Sequence, residues 1–294
     1  MIFVIAGPTC SGKSSLAIRL ATAINGEIIN GDAFQVYKEL NIGTAKPSEE
    51  ERKIVKHHLF DFISPSREYN VKDYQDDVRK VINELTTQRK NIIIVGGTGL
   101  YQKAALYDFD FSDELEKVDM SDLNEKSNEE LYDYLKSIDE EATKNIHKNN
   151  RKRVLRAIEI YRSSGKTKSE IIHAQEHKLV YDTLFIGLNI NRDVLYDMIN
   201  ARVDKMISDG LVEEVKNLKA NYDITKHAFQ AIGYKELIDY LDDKTSLEDA
   251  IELIKKHSRN YAKRQMTYFK NQLPMIWFDN VNDAYEHVLN KISK

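Results

Sequence analysis

The chain has one cysteine, Cys10, and four prolines in 294 residues, and none of the prolines lies between positions 66 and 273. A lone cysteine cannot form an internal disulfide, so a disulfide scaffold is excluded and a reducing cytoplasm is expected. The long proline-free stretch leaves helices uninterrupted. No run approaches the roughly 18 apolar residues of a membrane span, and the apolar run at 2–5 is too short for the core of a secretion signal. No membrane partner is therefore expected. Charge of one sign is also missing: the net formal charge is −4, which on average argues against a nucleic-acid partner. With 41% hydrophobic residues, a chain of this length can build one large core with a smaller companion.

Residues 7–14, Gly-Pro-Thr-Cys-Ser-Gly-Lys-Ser, match the phosphate-binding loop pattern in full. Backbone N–H groups must wrap a polyanion there, so Gly7 and Gly12 stand where side chains would obstruct it. Lys13 brings an ammonium to phosphate oxygens, and Ser14 offers a hydroxyl to a metal ion. The apolar run 2–5 reads as a buried strand before the loop. Residues 14–24 read as a helix whose N-terminus adds positive dipole to the anion site. Cys10 reads as a small loop residue, since the sequence identifies no basic partner for a reactive thiol.

Further strand-like runs fall at 27–30, 59–63, 92–95, 184–190 and 275–278, separated by helical patterns such as 70–88 and 194–219. This alternation predicts an α/β fold like that of the P-loop NTPases: a parallel sheet with helices on both faces, and ligands at the carboxyl ends of the strands. The segment 112–182 is polar and helical in pattern, and reads as a helical insertion domain between core segments 1–111 and 183–294.

Asp32 follows the second strand, where a carboxylate can take a proton from a nucleophile or simply cap the next turn. After the strand at 92–95 come Gly96 and Gly97, where a phosphate-loop ATPase often holds Mg²⁺ with an aspartate. The diphosphate site is thus expected without the usual carboxylate of ATP hydrolysis, and Thr98 is expected to project its hydroxyl into the same cleft. His57 and His58, just before the predicted strand, read as structural.

Charge is unevenly distributed. Residues 110–141 hold 13 Asp/Glu against 3 Lys/Arg, whereas 144–168 hold nine Lys/Arg against Glu159 alone, and 255–270 hold six Lys/Arg and no acid. Such local basic segments bind phosphate backbones that a chain average conceals, or form solvated helix faces. On a helix, Lys256, Arg259, Lys263 and Lys270 share one side, while Tyr261, Gln265, Tyr268 and Phe269 share the other, where they read as packing residues.

Taken together, the phosphate loop, Asp32-Ala-Phe-Gln-Val-Tyr37, Ile42-Gly-Thr-Ala-Lys-Pro47, Gly96-Gly-Thr-Gly-Leu-Tyr101, Arg153-Val-Leu-Arg-Ala-Ile-Glu159, Ala231-Ile-Gly-Tyr-Lys-Glu236 and Tyr261-Ala-Lys-Arg-Gln265 closely resemble the tRNA dimethylallyltransferase (isopentenyltransferase) family. The resemblance runs from the first strand to about residue 278 and is weakest in the acidic stretch 112–141. It implies transfer of a dimethylallyl group from its diphosphate to N6 of the adenosine 3′ to a tRNA anticodon, by a single cytoplasmic chain.

By that resemblance Gly7, Thr9, Cys10, Ser11, Gly12, Lys13 and Ser14 hold the diphosphate, with Mg²⁺ at Ser14 and an insertion-domain arginine, Arg153 or Arg156, reaching it. Asp32 is the general base or orienting acceptor, and Thr98 holds the amine or the diphosphate in line. The acceptor base is flipped out to meet Asp32, Ala33, Phe34, Gln35 and Thr98. Lys152, Arg153 and Arg156, with Lys256, Arg259, Lys263, Arg264 and Gln265, clamp the anticodon stem-loop. Three alternatives share some of these features: a small-molecule kinase, an adenylate isopentenyltransferase acting on free nucleotides, and an RNA-binding module with a vestigial loop.

Overall fold

The computed structural model describes residues 1–109, 111, 118–174 and 177–292. Residues 112–117, where the insertion is expected to begin, lie outside them. The chain divides into two compact units, Met1–Leu106 with Tyr181–Lys294, and Tyr107–Val180.

The first unit opens with β1 (Ile2–Ala6), α1 (Lys13–Ala23), β2 (Gly26–Asn30), α2 (Glu49–Ile54), β3 (His57–His58), α3 (Val71–Thr87), β4 (Asn91–Val95) and α4 (Gly99–Leu106). The second unit carries α5 (Asn128–Ile138), α6 (Glu140–Thr143), α7 (Arg151–Ser164) and α8 (Lys168–Ala174). The chain then returns to the first unit through β5 (Thr183–Leu188), α9 (Arg192–Ser208), α10 (Leu211–Asn221), α11 (Tyr234–Leu241), α12 (Leu247–Gln272), β6 (Ile276–Phe278) and α13 (Val281–Ile292).

All six strands pair in parallel in the order β3-β2-β4-β1-β5-β6. Strand side chains alternate between faces. Phe3, Ile5, Ile28, Ile93, Val95 and Ile186 point to one core with Leu16 and Leu20 of α1 and Val288 of α13. Val4, Ile29, Ile92 and Ile94 alternate with them and are equally buried. Burial on both faces is why these strands read as continuous apolar runs.

Two expected elements differ. The run 59–63 is not a strand: β3 is His57–His58, and Leu59 (φ 60°) and Asp61 (φ 58°) adopt left-handed backbone that cannot continue a ladder. Ile63 keeps only an isolated bridge to Tyr37. His58 ties the sheet edge by its Nε2, 2.6 Å from Glu27 Oε2 on β2. The helix expected over 194–219 is two, because Gly210 turns at φ 101° between α9 and α10.

The second unit has its own core of Leu123, Leu131, Leu135, Ile146, Val154 and Ile158. α5 starts with a capping box in which Ser127 and Glu130 satisfy each other's backbone N–H. Arg151 donates to the carbonyls of Leu123, Asn124 and Lys126, fastening α7 to the turn before α5.

Candidate active site

The carboxyl ends of β1, β2 and β4 surround a cavity of about 310 Å³, a volume suited to a small organic ligand. One part of its wall is polar: Thr9, Lys13, Ser14, Asp32, Arg202 and Arg264. Another part is apolar, with Ile199, Val203, Met206, Ile232 and Ile254.

Lys13 begins α1, whose first turn carries no acidic residue, so the helix dipole stays available to an anion. Its Nζ donates to the Pro8 carbonyl at 2.5 Å. Burial and the nearby Arg202 guanidinium lower the Lys13 pKa to about 8, against the opposing pull of Asp32. The Ser11 hydroxyl is buried without a hydrogen-bond partner among the described residues. Gly7, Gly12 and Ser11 belong to the loop but not to the cavity wall, whereas Cys10 is on that wall. The sequence identified no basic partner for Cys10; the fold supplies Arg202, whose Nη1 lies 3.8 Å from the sulfur.

Asp32 is aimed by Asn30 at the end of β2. The fully buried Asn30 amide accepts from Asp32 N–H at 2.8 Å and donates to the Asp32 and Leu59 carbonyls. Asp32 Oδ1 accepts the Phe34 N–H at 2.9 Å, the expected capping bond. Capping leaves the carboxylate on the cavity wall, so the two readings of this residue are compatible. Burial raises its pKa, opposed by the Phe34 N–H, Lys13 and Arg202.

Thr98 is placed differently from the expectation. It is absent from the cavity wall, and its Oγ1 accepts the Ala33 N–H at 3.0 Å, bracing the turn that carries Asp32. Gln265 is on the cavity wall but buried, with both ends of its amide on backbone: Oε1 accepts from Thr9 N–H at 3.0 Å, and Nε2 donates to the Gly97 carbonyl at 2.9 Å. It staples the phosphate loop to the turn after β4. Phe34 and Gln35 do line the cavity; Phe34 stacks on His227 with centroids 5.3 Å apart.

On α12, Lys256 and Lys263 are exposed, while Arg259 is half-buried and donates to Asn200 Oδ1 at 2.5 Å. Arg264 lies 5.7 Å from the Tyr261 ring centroid and reaches the cavity. Within the second unit, Lys152 and Arg153 are exposed on α7, and Arg156 pairs with Glu159 at 2.7 Å.

The sequence model of the IPP transferase family matches residues 35–272. The tRNA dimethylallyltransferase of Anoxybacillus flavithermus is 47% identical over 293 residues, covering 99% of this chain and 94% of the relative. The chain belongs to the IPP transferase family. Its fold is that of solved members: the tRNA isopentenylpyrophosphate transferase of Bacillus halodurans is 39% identical with a TM-score of 0.76, covering 99% of this chain and 95% of the other. A eukaryotic dimethylallyltransferase acting on tRNA is 30% identical with a TM-score of 0.83, covering 99% of this chain and 77% of the other.

In this IPP transferase one residue missed by sequence reasoning is Arg202. An arginine on an amphipathic helix reads as solvated, yet Ile199, Arg202, Val203 and Met206 lie on one helical strip and all line the cavity. A charge inside an apolar stripe was the available signal. His57, read as structural, also lines the cavity, with its Nδ1 2.7 Å from the Val55 carbonyl oxygen.

Proposed function

We propose that this IPP transferase moves a dimethylallyl group from dimethylallyl diphosphate to N6 of the adenosine 3′-adjacent to a tRNA anticodon, acting as a monomer in the cytoplasm. The carrying observation is one cavity that joins an anion-binding loop, a buried carboxylate and an apolar wall. The N6 nitrogen forms a bond to C1 of the dimethylallyl group as the bond from C1 to the diphosphate oxygen breaks. Asp32 accepts the N6 proton; its raised pKa makes it the stronger base for that step. Negative charge developing on the departing diphosphate is met by Lys13, the loop amides and Arg202. The unpartnered Ser11 hydroxyl is a further donor within that loop.

The donor set fits a magnesium ion carried in with the diphosphate. Ser14 supplies a hydroxyl in the first turn of α1, and phosphate oxygens would complete the shell. Once bound, the ion would shield charge on the leaving group. Among the described residues no helix is long and apolar enough to cross a membrane, and no cluster of three or more His, Cys, Asp or Glu could hold a metal alone.

The acceptor adenosine must leave its stack to reach Asp32. Phe34 and Gln35, on the cavity wall, would receive it, and the exposed lysines of α12 would hold the phosphate backbone. Lys152, Arg153 and Arg156 of the second unit are assigned to the same stem-loop. The test is transfer of labelled dimethylallyl diphosphate, with Mg²⁺, to unmodified tRNA and in parallel to AMP. Label in tRNA alone is expected. Label in AMP would assign the chain to free nucleotides, and ATP consumption without prenyl transfer would make it a kinase.

A further inference from the structure

We infer that Glu214 is a positioning residue for prenyl transfer: its carboxylate fills an anion pocket formed by the backbone N–H groups of Asn41, Ile42 and Gly43, and so sets the part of the cavity wall that receives the acceptor base. The inference rests on the transferase reading above.

Glu214 lies in the first turn and a half of α10, far in sequence from the loop it holds. Its Oε2 accepts from Asn41 N–H at 3.1 Å and Ile42 N–H at 2.9 Å. Its Oε1 accepts from Ile42 and Gly43 N–H at 3.1 and 3.3 Å, and from the Tyr234 hydroxyl at 2.7 Å. Successive N–H groups converging on one point form an anion-binding nest, the backbone device that elsewhere holds phosphate. Here the chain's own carboxylate occupies it. Tyr234 is fully buried on α11, and its ring fills the space a Gly43 β-carbon would need, 2.4 Å from Cε2. Loop 41–43 is therefore gripped from two helices.

The grip leads to the cavity. The next residues, Thr44 and Ala45, present their carbonyls to Gln35 Nε2 at 2.9 and 3.1 Å. Gln35, Thr44 and Ala45 all line the cavity. A displacement of the nest thus passes through two carbonyls to a side chain assigned to the flipped base. It does not pass through the phosphate loop, which is fastened separately by Gln265 to Thr9. A residue that only stabilised the fold would not make this distinction between the two substrates.

The test compares wild type, Glu214→Ala, Glu214→Gln and Tyr234→Phe in steady-state transfer, varying tRNA and dimethylallyl diphosphate in turn. Losing charge-assisted bonds of this kind weakens an interaction about tenfold or more, so Glu214→Ala should raise the KM for tRNA by about tenfold. The KM for dimethylallyl diphosphate should stay within about twofold. Glu214→Gln keeps an acceptor oxygen and should fall between the alanine variant and wild type; Tyr234→Phe removes one donor and should shift the same constant slightly. If the alanine variant does not fold, Glu214→Gln and Tyr234→Phe read the same split. Equal movement of both constants, or movement of neither, in the variants that fold overturns the inference. Absence of transfer by wild type overturns the transferase reading itself, and is seen before any variant is compared.

Discussion

The Gln265 amide occupies the space that a β-carbon at Gly97 would need: such an atom would lie 2.1 Å from Nε2. The neighbouring Gly96 is pressed as closely against the Gly31 backbone, also 2.1 Å from where its β-carbon would be. The missing ATPase-type aspartate after β4 thus has a steric cause, since that place is taken by the staple joining α12 to the phosphate loop.

Restoring a side chain at Gly97 should therefore cost stability and activity together. Gly97→Ala should displace Gln265 and lower unfolding free energy by about 1–3 kcal/mol, as overpacking does. Chemical denaturation of Gly97→Ala beside Gln265→Ala checks this. The double variant should lose less than the sum of the two, because removing Gln265 makes room for the added methyl group.

Asp32 predicts opposite pH trends for activity and for folding. Burial raises its pKa, and only the ionised carboxylate accepts a proton. The acid limb of kcat/KM should lie above the value of about 3.9 for an ordinary aspartate, with activity falling as pH drops through it. For folding, a raised native pKa favours the protonated form. That contribution is complete below the unfolded pKa and is lost as pH rises through the native one. Asp32→Asn should lower turnover about a hundredfold or more, abolish the acid limb and leave tRNA binding close to wild type. Retained turnover would remove Asp32 from the proton-transfer role.

Lys13 trades stability for anion binding. Its pKa falls from 10.5 to about 8 in the native state. A depressed cation stabilises the fold above its unfolded pKa, and that contribution is lost as pH falls through the native value. At pH 7 the charged Lys13 is thus a cost on the order of 3 kcal/mol. Lys13→Met should raise the melting temperature of the ligand-free protein at pH 7, with the gain shrinking as pH rises from about 8 to 10.5, and should abolish binding of inorganic diphosphate in calorimetry. Arg202→Met should weaken the same binding about tenfold or more and raise the Lys13 pKa.

The basic residues of α12 should separate into two kinds. Lys256 and Lys263 are exposed, so alanine at either should lower the salt dependence of tRNA binding by about one unit of slope. Arg259 is committed to Asn200, so Arg259→Ala should lower the melting temperature and change that slope little. Filter binding over a salt series distinguishes them.

The sequence by itself determined the features written in contiguous residues. The phosphate loop needs its glycines, Lys13 and Ser14 at fixed spacing, and strands buried on both faces need continuous apolar runs such as 92–95. These are local demands of backbone and solvent, so they are legible in one dimension. Other residues that shape the cavity were not legible in this way. Arg202 and Glu214 look like ordinary polar positions of surface helices until α9 and α10 are set beside loops 150 or more residues earlier. Thr98 and Gln265 belong to legible motifs, but only packing shows that they also bond the backbone of Ala33, Thr9 and Gly97. The strand expected at 59–63 failed for the same reason: Asp61 is drawn to Lys46 at 2.7 Å, a contact from another loop that overrides the local β preference. Which polar atoms remain free for a substrate is settled by long-range hydrogen bonding, and that is decided only once the tertiary structure has formed.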